Sequence, residues 1–302
     1  FALLRAASAP PRRSIVELIA DGVLDPELAA LAWILVEARL PLIVAGLRQG
    51  AGKTTLFEAL LDFLPTTARR IDLAGAAEDF GWLPEAEALG WQRDGGRGPT
   101  TAIAPTSTTL AIPVTPATGY LVAAELSEHL PIYTWGRAAR TLVRAASLGY
   151  GIGATLHADR LEDIHESLQA PPVGLTDGEL TYLGLVLVVR ATREPGGTFR
   201  RRVVAAHYAR PVGRDEHGHT QHLPPAVLAA RDATTDRLEH FAWGVLPELG
   251  IRLGRKAGDL ERDQAERADL LAGLVSRGAV DLPTVRSAIA AKTTTPEPRR
   301  VH

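Results

Sequence analysis

The chain has 302 residues, 46% hydrophobic and 23% charged, with a formal net charge of −2 and no cysteine. That length suits one large or two smaller domains; disulfides and thiolate metal sites are excluded, and the charge gives no electrostatic case for nucleic acid. No apolar run approaches a membrane span, no signal peptide opens the chain, and methionine is absent even at position 1, which reads as a processed or excised chain.

Residues Phe1 to Arg13 are small, basic and Pro-containing and read as a linker. Ser14 to Ile19 starts a short helix that Gly22 stops. Asp25-Pro26-Glu27 is a helix start, with Asp25 as cap and Pro26 at the first position, and the helix runs to about Arg39. The apolar run Leu42 to Ala45 predicts a buried strand. A glycine-bearing turn follows it, and then apolar residues at helical spacing, Leu56, Leu60, Phe63 and Leu64.

Strand, Gly-rich loop, Gly-Lys-Thr and helix together form the pattern of a phosphate-binding loop. Gly50, Ala51 and Gly52 would turn backbone N–H groups toward a β-phosphate, aided by the helix N-terminus. Lys53 would reach the β- and γ-phosphates, Thr54 would place its hydroxyl on Mg²⁺, and Thr55 completes the motif. The strict spacing asks for glycine at position 47, where this chain has Leu47; Gly46 stands one residue early. Only Lys53, Lys256 and Lys292 are lysines among 33 basic residues, so an arginine-using chain keeps a lysine here.

Arg70 to Ala74 predicts a second strand and Glu78-Asp79 an acidic turn. Residues Gly81 to Pro99 read as loop, and Thr100 to Pro116 as one or two edge strands. Tyr120 to Ala124 is a strand ending at Glu125, Gly136 to Leu148 a helix, Ile152 to Leu156 a strand ending at His157, and Leu161 to Leu168 a helix. An open α/β sheet places chemistry at such strand ends. Glu125 is therefore a candidate to position water and His157 a candidate phosphate sensor, although a histidine there is more often a loop residue.

Leu183 to Ala191 and Phe199 to Tyr208 form a hairpin across Glu194-Pro195-Gly196-Gly197. His217, His219 and His222 have ligand-like spacing in a polar loop, without a supporting carboxylate or thiolate pattern. From Asp236 the chain reads as helical, with Asp281 as a second cap, and the tail after Lys292 reads as disordered. Arg137, Arg140 and Arg144 share a helical face and would meet a neighbouring subunit's phosphates or form a solvated basic face, the commoner outcome.

Gly-Ala-Gly-Lys-Thr-Thr, a strand ending in glutamate, and Thr-x-His-Ala together resemble the secretion, pilus-assembly and archaellum motor ATPases. Asp21-Gly22, Pro26-Glu27-Leu28-Ala29-Ala30 and Trp33 resemble their lead-in helix. Glu266 to Leu271, with Gly278 and Asp281, resembles their closing helices. The resemblance implies an α/β fold with a RecA-like core, a β-hairpin extension and a small C-terminal helical region. The expected division is a lead-in over 1–40, the ATPase domain over 41–235 and a helical region with its tail over 236–302.

It further implies ATP and Mg²⁺ as cofactors, with Lys53, Glu125 and His157 catalytic and Glu125 on Mg²⁺ through a water. A hexamer at the inner face of the cell membrane, moving a membrane platform protein of a pilus or secretion apparatus, is implied as well. Gly119, Ser127 and Gly149 depart from the family pattern, where an acidic residue, an arginine and a histidine are usual. These departures keep a second reading open, a nucleotide-binding scaffold without turnover. A P-loop transferase or kinase would need an acceptor pocket that nothing in the sequence marks.

Overall fold

Order in this molecule begins with helix caps that the sequence spells out. Ser14 accepts from the Glu17 amide to start α1 (Ile15–Ala20), and Asp25 accepts from the Leu28 amide to start α2 (Pro26–Glu37). The structure, a computed structural model, describes residues 12–92, 114–214, 217 and 219–293. Residues 1–11 of the linker expected over Phe1 to Arg13, the segment over 93–113 and the tail after Thr293 lie outside the described residues.

After α2 come β1 (Leu42–Ala45), α3 (Lys53–Leu61), β2 (Arg69–Asp72), β3 (Gly119–Leu126), α4 (Gly136–Ala145), β4 (Gly151–Leu156) and α5 (Leu161–Gln169). Next are α6 (Asp177–Leu180), β5 (Leu185–Arg193), β6 (Phe199–Tyr208), β7 (Gly213–Arg214), β8 (Thr220–Gln221), β9 (Ala226–Arg231) and β10 (Leu238–His240). The chain closes with α7 (Leu246–Arg252), α8 (Ala257–Ser276) and α9 (Leu282–Thr293).

Eight strands form one mixed sheet in the order β10-β9-β6-β5-β1-β4-β3-β2. The stretch from β2 to β5 is parallel, and β6, β9 and β10 add to it antiparallel. β7 and β8 form a separate small ribbon. β1 is apolar at every position, as a strand covered on both faces must be.

Its alternate residues feed two cores. Leu42 and Val44 join a cluster that runs from Ile15 to Ile289, so α1, α2, α3 and α7 to α9 share one apolar layer with the sheet. Trp33 anchors that layer, stacked on Phe63 at 5.0 Å with the Arg267 guanidinium 4.7 Å from its ring. Ile43 and Ala45 face the second cluster, beneath α4, α5 and the segment from Phe80 to Trp91.

β9 stands where the sequence reading assigns no element, and β10 stands where it has helix. β9 and β10 form an antiparallel hairpin around a turn in which Asp232 accepts from the Thr234 and Thr235 amides. Asp236 takes a φ of 53°, which asparagine and aspartate tolerate better than most residues. That Asx turn ends the strand and reverses the chain.

Candidate functional site

The loop between β1 and α3 is shaped by close backbone approach. A Cβ on Gly46 would lie 2.6 Å from the Val189 carbonyl, so glycine is required at the strand end, while Leu47 is 59% exposed and needs no special backbone. This accounts for a glycine standing one position early. Gly50 and Gly52 hold φ values of 78° and 93°, the left-handed region that favours glycine. Gly52 caps α3 with no side-chain cap, which leaves the first N–H groups of the helix for an outside acceptor.

Lys53 begins α3 and folds inward, only 6% exposed. Its Nζ donates to the Gly46 carbonyl at 2.9 Å and lies 3.9 Å from Oε2 of Glu125. Burial pushes its ammonium below the ordinary lysine range, and the Glu125 carboxylate pulls the other way. Ala51 is buried, Thr55 is half-buried, and Thr54 is exposed beside the loop.

Glu125 reaches this cation because β3 carries one extra residue between Ala123 and Leu126, opposite Ala154 and Leu156 of β4. The bulge re-aims the side chain at the strand end. The Thr155 hydroxyl fixes the kink by donating to the Ala124 carbonyl at 2.7 Å. The returning loop fixes the other side, its Thr134 amide donating to the Glu125 carbonyl.

His157, the first residue after β4, stands 2.5 Å from Oε1 of Glu125 through Nδ1. Its two ring nitrogens lie 3.5 and 3.4 Å from Lys53 Nζ. Lys53, Glu125 and His157 therefore meet at the C-terminal ends of β1, β3 and β4. A buried cation, left-handed glycines and uncapped helix N–H groups fit a polyphosphate. An exposed hydroxyl and a carboxylate are the hard oxygen donors that Mg²⁺ takes.

Other predicted residues lie elsewhere. The Arg140 guanidinium donates to the Val173 and Pro172 carbonyls, and Arg144 bonds Glu179 at 2.5 Å and the Leu89 carbonyl at 3.0 Å. Both tie α4 to its own chain, as a solvated basic face would not. Glu78 accepts from the Ala74 and Phe80 amides and from the Trp82 indole, which commits it to its own turn. Rings of His217 and His219 lie 6.1 Å apart, and among the described residues no group of three or more His, Asp or Glu is placed to hold a metal ion.

The departures have local causes. A Cβ on Gly119 would stand 2.7 Å from the Tyr150 ring, and Gly149 has a φ of 96° where the segment after α4 ends. Ser127 is buried and bonds His129 at 2.9 Å, and the His129 ring stacks on His157 with centroids 6.2 Å apart. Sequence reading missed His129 and also Arg201 of β6, whose Nε donates to the Gly50 carbonyl at 2.9 Å. The run Arg200-Arg201-Arg202 on a hairpin strand is the signal that marks it.

No protein-family model matches the chain. An uncharacterized protein of Methanocaldococcus jannaschii is 27% identical over 170 residues, 56% of this chain and 59% of that relative. A Mycobacterium tuberculosis protein named for a conjugal-transfer role is 41% identical over 69 residues, 23% of this chain and 19% of its own length. The chain thus spans less than two thirds of the curated relatives it matches.

Among solved structures, the VirB11 ATPase of the Brucella suis type IV secretion system is 20% identical with a TM-score of 0.37, over 59% of this chain and 50% of that one. The DotB ATPase of Yersinia pseudotuberculosis is 13% identical with a TM-score of 0.36, over 91% and 62%. Overlap at that level assigns no function, so the site itself has to. No described helix is long and apolar enough to cross a membrane.

Proposed function

We propose that the chain is a Mg²⁺-dependent ATPase subunit of the secretion and pilus motor type. The observation that carries this reading is the meeting of Lys53 at the start of α3, Glu125 in β3 and His157 just after β4 at one loop. The order β5-β1-β4-β3-β2, with one strand inserted between the loop strand and the glutamate strand, supports a RecA-like core. In this reading residues 41–235 carry the chemistry and 1–40 lead in; of the expected region over 236–302, β10 extends the sheet and α7 to α9 cover one face.

Lys53 would hold the phosphates with the amides around Gly50 to Gly52, and Thr55 would close the loop's grip. Thr54, and Glu125 through a water, would hold Mg²⁺, which supplies charge neutralisation on the phosphate oxygens when bound. Glu125 orients the attacking water and takes its proton. A donor on His157 Nδ1 fixes that carboxylate and leaves Nε2 to accept from the lysine ammonium, or, with a proton on both ring nitrogens, to donate to a phosphate oxygen. The bulge in β3 matters here because a carboxylate misaimed by one residue would point into the second core.

The same reading makes the functional form a ring, probed as a hexamer, whose turnover moves a membrane platform protein from the inner face of the membrane. A second reading is kept by Gly119 and Gly149, where packing and backbone forbid the family's usual side chains: a nucleotide-binding scaffold without turnover. Phosphate release from ATP and Mg²⁺, measured beside ATP affinity and with or without a hydroxyl acceptor, separates them. Turnover that rises with protein concentration supports the motor; tight binding with no turnover supports the scaffold; acceptor-dependent turnover supports a transferase.

A further inference from the structure

Three consecutive arginines on β6 have different fates. Arg200 pairs with Glu194 at 2.9 Å and Asp236 at 3.4 Å, and Arg202 pairs with Asp236 at 3.1 Å. Arg201 lies between them, and side chains alternate along a strand, so it emerges on the opposite face of the sheet. It is exposed, and among the described residues it has no acidic partner. Among the described residues its guanidinium makes one hydrogen bond, to the phosphate loop, from Nε to the Gly50 carbonyl at 2.9 Å. Its stem lies directly on the cap of α3, since a Cβ on Gly52 would stand 2.9 Å from Arg201 Cδ.

A guanidinium with Nε on a carbonyl keeps both Nη groups for another acceptor. Here they stand beside left-handed glycines and uncapped helix N–H groups, which together favour an anion. The sheet order fixes which end of the ligand they would meet. Glu125 and His157 come from β3 and β4, on one side of β1; Arg201 comes from β6, beyond β5 on the other side. With the reacting terminal phosphate beside Glu125, the opposite side faces the part of the nucleotide that does not react.

We infer that Arg201 is a nucleotide-binding residue supplied from within the same subunit, contacting a phosphate remote from the bond that is cleaved. The inference rests on the proposed nucleotide reading and adds a binding role at the far side of the same loop. A contact made equally before and during bond cleavage strengthens binding of ATP and ADP alike and shows mainly in KM.

The test titrates fluorescent N-methylanthraniloyl ADP and ATP, with Mg²⁺, into the parent chain, Arg201→Ala, Arg201→Met, Arg201→Lys and Lys53→Ala. Arg201→Met keeps the stem over Gly52 and removes the charge. Arg201→Ala and Arg201→Met should each weaken ADP and ATP alike by about tenfold, with Arg201→Lys between them and the parent. KM should rise with the Kd by more than kcat falls, and added salt should narrow the gap.

Unchanged affinity in Arg201→Met, with Lys53→Ala weakened, would overturn the inference and leave Arg201 a packing residue. A loss confined to kcat would overturn the placement and move Arg201 to the reacting phosphate. Unchanged affinity in Lys53→Ala would bring down the nucleotide reading, and this inference with it.

Discussion

Nδ1 of His157 lies 2.5 Å from Oε1 of Glu125, which makes the histidine the fixed partner of the carboxylate nearest the loop lysine. A carboxylate that accepts one hydrogen bond on Oε1 and faces an ammonium 3.9 Å from Oε2 has little rotational freedom. Such restraint is what a water-positioning group needs, because its contribution depends on a fixed approach. The stacked His129 and its Ser127 partner brace the imidazole from outside. The position where an arginine is usual in the motor ATPases is thereby used to hold a second ring.

Gly119 is a test of whether the usual acidic residue can be restored. Its Cβ would stand 2.7 Å from the Tyr150 ring and 3.1 Å from the Thr115 carbonyl. Gly119→Asp should therefore destabilise the fold by about 1–3 kcal/mol through overpacking, without raising turnover. Thermal unfolding with a phosphate-release assay checks both. A stable, faster variant would show that the site lacks this carboxylate.

Arg144 serves the fold. Its guanidinium joins α4 to Glu179, which belongs to the capping box of α6, and to the Leu89 carbonyl. Arg144→Ala should cost about 1–3 kcal/mol of stability and leave ATP turnover per folded molecule unchanged. Turnover that falls with stability intact would return the arginine to the role expected for it across a subunit boundary.

His240 links the edge strand β10 to the start of α2, its Nε2 lying 2.8 Å from Oδ2 of Asp25. Burial works against its charged form, but the hydrogen bond and charge of Asp25, with Glu27 beyond, hold its pKa above the ordinary histidine range. Burial likewise opposes the Asp25 charge, and the His240 bond, the Leu28 amide and Arg231 still hold that carboxyl below its ordinary range.

A raised histidine stabilises fully below about pH 6.5 and loses this as pH rises through its folded value. A lowered aspartate stabilises above about pH 4 and loses this as pH falls. The pair is thus strongest between those limits. His240→Gln should lower the Tm by about 1–3 °C near pH 5.5 and by less near pH 8.5. An equal loss at both would assign the contact to packing.

How much of this was legible follows the reach of each signal. β1 and its loop are local: four apolar residues, two left-handed glycines and a lysine within a short span specify them. Caps at Ser14 and Asp25 are equally local. The β9 strand is Ala-rich and its turn carries no glycine, so pairing with β6 rather than propensity makes it a strand. Arg201 is 151 positions from Gly50, and Arg140 is 33 from Val173, contacts that no spacing rule reports. Gly119 and Gly149 look like losses of function in sequence; in three dimensions the first is packed against the Tyr150 ring and the second holds a left-handed backbone.

The central claim is that Glu125 positions the water that attacks a nucleotide held by Lys53. Glu125→Gln replaces a carboxylate by a near-isosteric amide that neither takes a proton nor carries charge. The direct measurement is phosphate release from saturating ATP with Mg²⁺, beside ATP affinity, for the parent and this variant. The account predicts affinity close to the parent's and a rate lower by about 10²–10⁴. Turnover equal to the parent's, with affinity retained, would contradict it.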